Sequence, residues 1–333
     1  MNQNERYARH IILREIGKEG QEKLSKVSVA VVGAGALGNA CANLLARAGF
    51  GKIRIIDRDL VETTNLQRQI LYTEKDVGKA KAEVLAKHLM RINSEIKVEG
   101  VVGDFNSSNG ESLLEGMDVV MDCTDNLATR FLLNDICVKH SIPWIYAGVL
   151  GTSGMTYNVV PGGPCFRCIF PAMPRTPLPT CETAGILNTV PVLFGCIQVT
   201  EAMKIVLDKE QRKTLAFVDL WNFEIQEIEV SQNPECKTCK KHEFEFLDNK
   251  SEQIVRLCGS SSVYFLPGQK KRMNMREMKE KLEKVGEVKQ VGRILKVKVE
   301  GWAITLFPDG GAIINGTDSI EVAKSVYAKY IGL

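Results

Sequence analysis

The chain has 333 residues, of which 44% are apolar and 25% charged, enough for one large buried core and a smaller second unit. Its formal net charge of +3 comes from basic residues spread along the sequence, which excludes the footprint of a nucleic-acid binder or a polybasic membrane tail. Ten cysteines are many for this length, but the chain is too long and core-rich for a disulfide-stapled secreted module, so clustered cysteines point to metal or catalytic use in a reducing compartment.

The opening MNQNERYARH lacks the apolar core of a signal peptide. From about residue 27, short β-branched runs alternate with helical patterns: VSVAVV, a helix near 38–48, IRIID, a helix near 79–91, KVEGVV, a helix near 108–115, DVVMDC, a helix near 127–140, and IPWIYAG. This alternation predicts a Rossmann-like, doubly wound, mostly parallel sheet. After residue 150 the segments TSGMTYNVV, TLAFVDL and NFEIQEIEV predict an antiparallel extension around the apolar run 186–207, whose Pro191, Gln198, Glu201 and Lys204 suit a buried helix of a soluble, cytoplasmic protein better than a membrane span. The charged stretch 235–253 marks a boundary between a unit at 1–248 and a small α+β unit at 254–333, built from SVYFL, a Lys/Glu-rich helix, further strands and a closing helix.

VSVAVVGAGALG puts Gly33, Gly35 and Gly38 at the turn from a buried strand into a helix, with Asp57 ending the next strand 19 residues after the last glycine. Glycines admit backbone close to phosphate, the helix amino end faces the anion, and the acid takes ribose hydroxyls, so an adenine nucleotide is expected. Arg68 and Lys81 then supply positive charge that a triphosphate needs and a dinucleotide does not. In VVMDCTDNLATR, Asp122, Asp125 and Asn126 lie beyond a central strand, where an aspartate suits Mg²⁺; capping of the next helix by Asp125 or Asn126 is the plainer alternative.

The pairs Cys165-Phe-Arg-Cys168 and Cys236-Lys-Thr-Cys239 are two C-x₂-C knuckles, a closed set suited to structural Zn²⁺. A thioredoxin-like redox pair or an iron–sulfur cluster is the competing use, and neither knuckle is expected at the amino end of a helix in a thioredoxin-type unit. Cys181 follows a segment with prolines at 171, 174, 177 and 179 and precedes a helix expected to begin near Ala184, a setting that can lower a thiol's pKa; a passive loop thiol is the alternative. Cys41, Cys123, Cys137, Cys196 and Cys258 lie in apolar segments and read as small buried hydrophobes.

RYARHIILREIG, GAGALG, DRDLVETTNLQRQ, GKAKAE, DCTDN, CFRC, TCETAG and CKTC, in this order over about residues 5–245, resemble the MoeB/ThiF family of adenylyltransferases, related to ubiquitin-activating enzymes. The resemblance implies that the C-terminal glycine carboxylate of a small ubiquitin-like sulfur carrier ending in Gly-Gly attacks ATP and is adenylated. It implies Asp57 at the ribose, Arg68 and Lys81 at the phosphates, Asp125 at Mg²⁺, and Asn65 and Asn126 lining the site. It further implies a homodimer in which Arg9 reaches the partner's triphosphate, and a Cys181 that takes the activated carrier. Ala36 departs from the family's frequent glycine, which narrows the phosphate turn if that backbone needs positive φ. The tail resembles a small domain attached to some members, built either to dock the carrier or a sulfur donor or as a stabilising appendage. The same glycines would serve a NAD-dependent oxidoreductase with structural zinc, and a non-catalytic zinc scaffold for a ubiquitin-fold partner is a third reading; Arg68, Lys81 and the DCTDN segment favour ATP. Molybdopterin, thiamine, thiolated-tRNA and protein-conjugation routes all use this chemistry.

Overall fold

Strand β1 (Ser28–Val32) is the hinge of the architecture: Val29 and Val31 enter one apolar cluster while Ala30 and Val32 enter another. A strand apolar at every position is what a sheet covered on both faces requires. The computed structural model describes residues 3–173, 181–248, 253–257, 262–266 and 273–332. Around β1 lie β2 (Lys52–Asp57), β3 (Lys97–Val102), β4 (Val119–Asp122) and β5 (Trp144–Leu150), all parallel, followed antiparallel by β6 (Ser153–Val159), β7 (Leu215–Asp219) and β8 (Glu224–Ile228). The order is β3-β2-β1-β4-β5-β6-β7-β8. It reverses beside β1, and such a switch point opens a crevice at the strands' carboxyl ends.

The helices Ala36–Ala48 and Thr189–Val206 pack together on one face. The second is long and apolar enough to cross a membrane by composition, with a mean hydropathy of 1.4, yet its Gln198 is fully buried and donates to the carbonyls of Asp122 and Ile145, both at 2.9 Å. A buried amide with both bonds made is a core device that ties this helix to β4 and β5. Cys41, Cys123 and Cys137 are buried as expected, but Cys196 is exposed. It lies on the outward face of Thr189–Val206 with Thr200, one turn away, and that face is as apolar as the inner one, which is why composition misread it.

A second sheet, all antiparallel, runs β11-β12-β13-β14-β10-β9, from β9 (Gln253–Leu257), β10 (Ser262–Leu266), β11 (Glu287–Val291), β12 (Ile294–Val299), β13 (Trp302–Leu306) and β14 (Ala312–Asn315). Its own core gathers Val263, Leu295, Ile304, Ile314 and Tyr327 under the helices Met275–Leu282 and Ile320–Tyr330. Tyr264, Ile294 and Phe307 instead join the apolar cluster of the first sheet, and the two sheets meet through the loops that follow β2 and β3.

Candidate functional site

The turn after β1 is dictated by close approach. Gly33 has φ +98, and a Cβ there would stand 2.3 Å from the Cys123 carbonyl oxygen; one on Gly38 would stand 2.0 Å from the Gly33 oxygen. Only glycine fits either place. A Cβ on Gly35 would meet nothing within 4 Å, so that position opens onto the crevice. Ala36 begins the helix with ordinary helical backbone, so its methyl introduces no strain. Asn39, fully buried, holds the turn by donating to the carbonyls of Ala34 and Gly35, both at 2.9 Å, and Tyr72 donates to Ala34 at 2.9 Å. Neither was visible from spacing.

Asp57 ends β2 against this turn. Its Oδ2 accepts from the Ala34 amide and its Oδ1 from the Asp59 amide, each at 2.6 Å. Burial and the adjacent Asp59 push its pKa up. Lys81, the first residue of the helix Lys81–Ile92, is almost wholly buried and places Nζ 3.0 Å from Asp59 Oδ2. Burial alone would lower the Lys81 pKa; Asp59 and Asp57 outweigh it and raise it. The lysine is thus charged and aimed by an acid that the sequence reading did not assign.

Asn65 is buried and closes the turn Thr63–Asn65, its Oδ1 accepting from the Glu62 amide at 3.1 Å, and half-exposed Arg68 donates to the Thr64 carbonyl at 3.0 Å. Arg9 is exposed on the short helix Ala8–Ile11.

Beyond β4 the two aspartates divide. Asp122 is fully buried, accepts from the Thr124 hydroxyl at 2.6 Å and pairs with Arg130 Nε at 3.2 Å. Arg130 also donates to the carbonyls of Thr124 at 2.6 Å and Ala147 at 3.2 Å, which fixes the loop. Asp125 is left exposed at the loop tip, and its charge helps raise the pKa values of Arg58, Lys81 and Arg130. Asn126 caps the helix Leu127–Lys139, accepting from the Thr129 amide at 2.9 Å.

The four knuckle thiols converge, all sulfurs lying within 4.8 Å of one another, with Cys165–Cys236 and Cys168–Cys239 at 3.6 Å. A tetrahedron with metal–sulfur bonds of about 2.3 Å has edges of about 3.8 Å, so the donor set fits a Zn²⁺ ion. Cys165 stands at the N-cap position of the one-turn helix Phe166–Ile169, without a side-chain bond to it. The helix Leu127–Lys139 steadies both knuckles: Asn134 accepts from the Phe166 amide at 2.9 Å, and Asp135 accepts from the Thr238 hydroxyl at 3.0 Å and the Phe246 amide at 2.8 Å. Burial pushes the Asp135 pKa up to about 6.

Cys181 opens a four-residue helix, Cys181–Ala184, rather than preceding one near Ala184. Gly185, with φ +74, breaks that turn, Ile186 bridges to Gly151, and the long helix starts only at Thr189. The Cys181 side chain, Pro174, Pro177, Pro179 and Cys258 lie outside the described residues.

Three likenesses bear on this arrangement. The sulfur carrier protein ThiS adenylyltransferase of Bacillus subtilis is 38% identical over 98% of this chain and 99% of its own length. The SAMP-activating enzyme E1 of Haloferax volcanii is 41% identical over 71% of this chain and 89% of its own length. The crystal structure of Escherichia coli MccB with ATP superimposes with a TM-score of 0.62 at 25% identity, covering 71% of this chain and 75% of that one. The ThiF family profile matches residues 7–238, which includes the glycine turn, Asp57, Lys81, the Asp125 loop, the first knuckle and Cys236 of the second, and this protein therefore belongs to the ThiF family.

Proposed function

We infer that this ThiF-family adenylyltransferase uses ATP to adenylate the C-terminal glycine of a small ubiquitin-like sulfur carrier, in the crevice above β1, β2 and β4. The observation that carries the reading is the convergence, on one turn, of an open glycine position at Gly35, a ribose-type acid at Asp57 and a charged, acid-aimed Lys81. A carrier carboxylate oxygen bonds to the α-phosphorus of ATP, the bond from that phosphorus to the bridging oxygen breaks, and pyrophosphate leaves with the electron pair. Gly33, Gly35, Ala36 and Gly38 let backbone approach the phosphates; Asp57 accepts from ribose hydroxyls; Lys81 and Arg68 face the charge that grows on the departing pyrophosphate. Asn65 and Asn126 shape the rim through the turns they close.

Asp125, exposed at the loop tip, would hold Mg²⁺, which would supply charge neutralisation to the phosphate oxygens. Cys165, Cys168, Cys236 and Cys239 would hold a structural Zn²⁺, and four unoxidised thiols suit a cytoplasmic setting. Exposed Ile12 and Leu13 beside Arg9, and exposed Ile70 beside Arg68, support a homodimer that covers these side chains and brings Arg9 to the partner's phosphates. Residues 1–248 form the catalytic unit and 254–333 an attached one. Cys181, at the start of a helical turn, would take the acyl group after activation.

The test is to offer carriers ending in Gly-Gly with ATP and Mg²⁺ and to look by mass spectrometry for acyl-adenylate. Absence of AMP and pyrophosphate with every such carrier, together with nicotinamide turnover, would replace this reading with the oxidoreductase one.

A further inference from the structure

Between the ribose acid and the acid that aims Lys81 stands Arg58, a residue that no motif spacing singles out. Its Nη1 lies 2.6 Å from Asp104 Oδ1, in the loop after β3, and its Cζ lies 5.0 Å from the ring centroid of Tyr264 in β10. Tyr264 is 3% exposed and backed edge-on by Phe307 at 6.3 Å, and its hydroxyl sits where a side chain on residue 311 would be, a space that Gly311 leaves clear. Asp309 accepts from the Gly311 amide at 2.9 Å and from Asn106 Nδ2 at 3.3 Å, fastening the second sheet to the Asp104 loop. Arg58 is therefore boxed, with its ring contact supplied by a strand some two hundred residues away in sequence. The box matters because Asp57 Oδ1 is held by the Asp59 amide at 2.6 Å and Lys81 by the Asp59 carboxylate at 3.0 Å. Any slack at residue 58 passes to both.

We propose that Tyr264 is a positioning residue for the nucleotide, acting through Arg58 to fix the Asp57–Asp59 segment, so that the second sheet serves as a wall of the ribose site. The proposal rests on the adenylation reading above. A guanidinium over a desolvated aromatic face is held by the ring's negative quadrupole as well as by shape, and an aliphatic side chain supplies only the shape. Without the ring the guanidinium keeps Asp104 at 2.6 Å and Asp59 Oδ1 at 3.8 Å from its Nε, and loses the flat face that sets its tilt.

The test is calorimetric titration of the full chain with ATP and with 2′,3′-dideoxy-ATP, which lacks the hydroxyls that Asp57 would accept. Tyr264→Leu is expected to weaken ATP binding by about tenfold. Tyr264→Phe keeps the ring and should stay within about twofold of the parent, and Tyr264→Leu should lose less affinity for dideoxy-ATP than for ATP, since only the share carried by Lys81 then counts. Arg58→Lys keeps a charge for Asp104 but stacks poorly; it should reproduce the larger loss for ATP, and Tyr264→Leu added to it should cost nothing more. Equal ATP affinity in parent and Tyr264→Leu, or an equal loss for both nucleotides, overturns the positioning role. If Tyr264→Leu does not fold, the Arg58→Lys titrations decide by the same two criteria. A parent protein that binds neither nucleotide overturns the adenylation reading itself.

Discussion

Lys81 Nζ and Asp59 Oδ2 lie 3.0 Å apart, the lysine almost wholly buried and the aspartate half-exposed. The pair sits at the start of the helix Lys81–Ile92, one residue pair away from Asp57, so the cation is delivered to the crevice already aimed. Lys81→Ala should lower AMP formation by about 10² to 10³, the usual cost of removing one preorganised charge. Asp59→Asn should cost less in rate, because the lysine stays charged, and more in ATP affinity, because it is no longer aimed. Steady-state kinetics that split kcat from KM decide; equal effects on both constants for both variants would refute the division.

The glycine turn separates folding from binding. Gly33→Ala puts a methyl 2.3 Å from a backbone oxygen at φ +98, and should destabilise by about 2 kcal/mol or more. Gly35→Ala meets nothing within 4 Å and should leave the melting temperature unchanged while weakening ATP binding. Thermal melts with and without ATP give both readings, and a stable Gly33→Ala would contradict the geometry.

Removing one thiolate of the sulfur cluster, as in Cys239→Ser, should release bound zinc and cost at least about 3 kcal/mol, on the order of 10 °C in melting temperature. Metal analysis of the purified protein checks the first and calorimetry the second. A parent protein purified without stoichiometric metal would contradict the assignment.

Cys181→Ala should leave acyl-adenylate formation intact and abolish covalent carrier adducts. Intact-mass spectrometry under non-reducing conditions shows whether any adduct survives in the variant, and one that does would assign the transfer elsewhere.

The carboxylate of Asp76 accepts from the Thr73 hydroxyl at 2.8 Å and amide at 3.0 Å, and lies 3.1 Å from His88 Nε2. Against the upward push of burial, these bonds hold its pKa at about 2, below the ordinary 3.8. A folded-state pKa below the unfolded one stabilises the fold above the unfolded value and loses that contribution as pH falls through the folded one. Asp76→Asn should therefore cost about 2 kcal/mol near neutral pH, with the gap closing below about pH 4. Urea midpoints at several pH values measure it, and a gap independent of pH would discount the carboxylate.

The parallel sheet was readable because both faces of β1 and β4 are covered, which forces apolar runs, and because Gly33, Gly38 and Asp57 are demanded by backbone contact at fixed spacing. The two knuckles were readable for the same reason: four identical donors leave a pattern. Asn39, Tyr72, Arg130 and Arg58 left none, since each acts through contacts whose partners are remote in sequence or are bare carbonyls. The start of the helix after Cys181 was misplaced because Gly185 interrupts a run whose composition continues unchanged. Cys196 was misread because an outward face can be apolar.

The helix Leu127–Lys139 begins at Asn126, next to Asp125, and grips both knuckles at Asn134 and Asp135, about 12 Å further along its axis. A rod that short does not bend, so the sulfur cluster and the Asp125 loop are two ends of one beam. Drawing the four sulfurs apart at one end would then tilt the Asp125 carboxylate at the other.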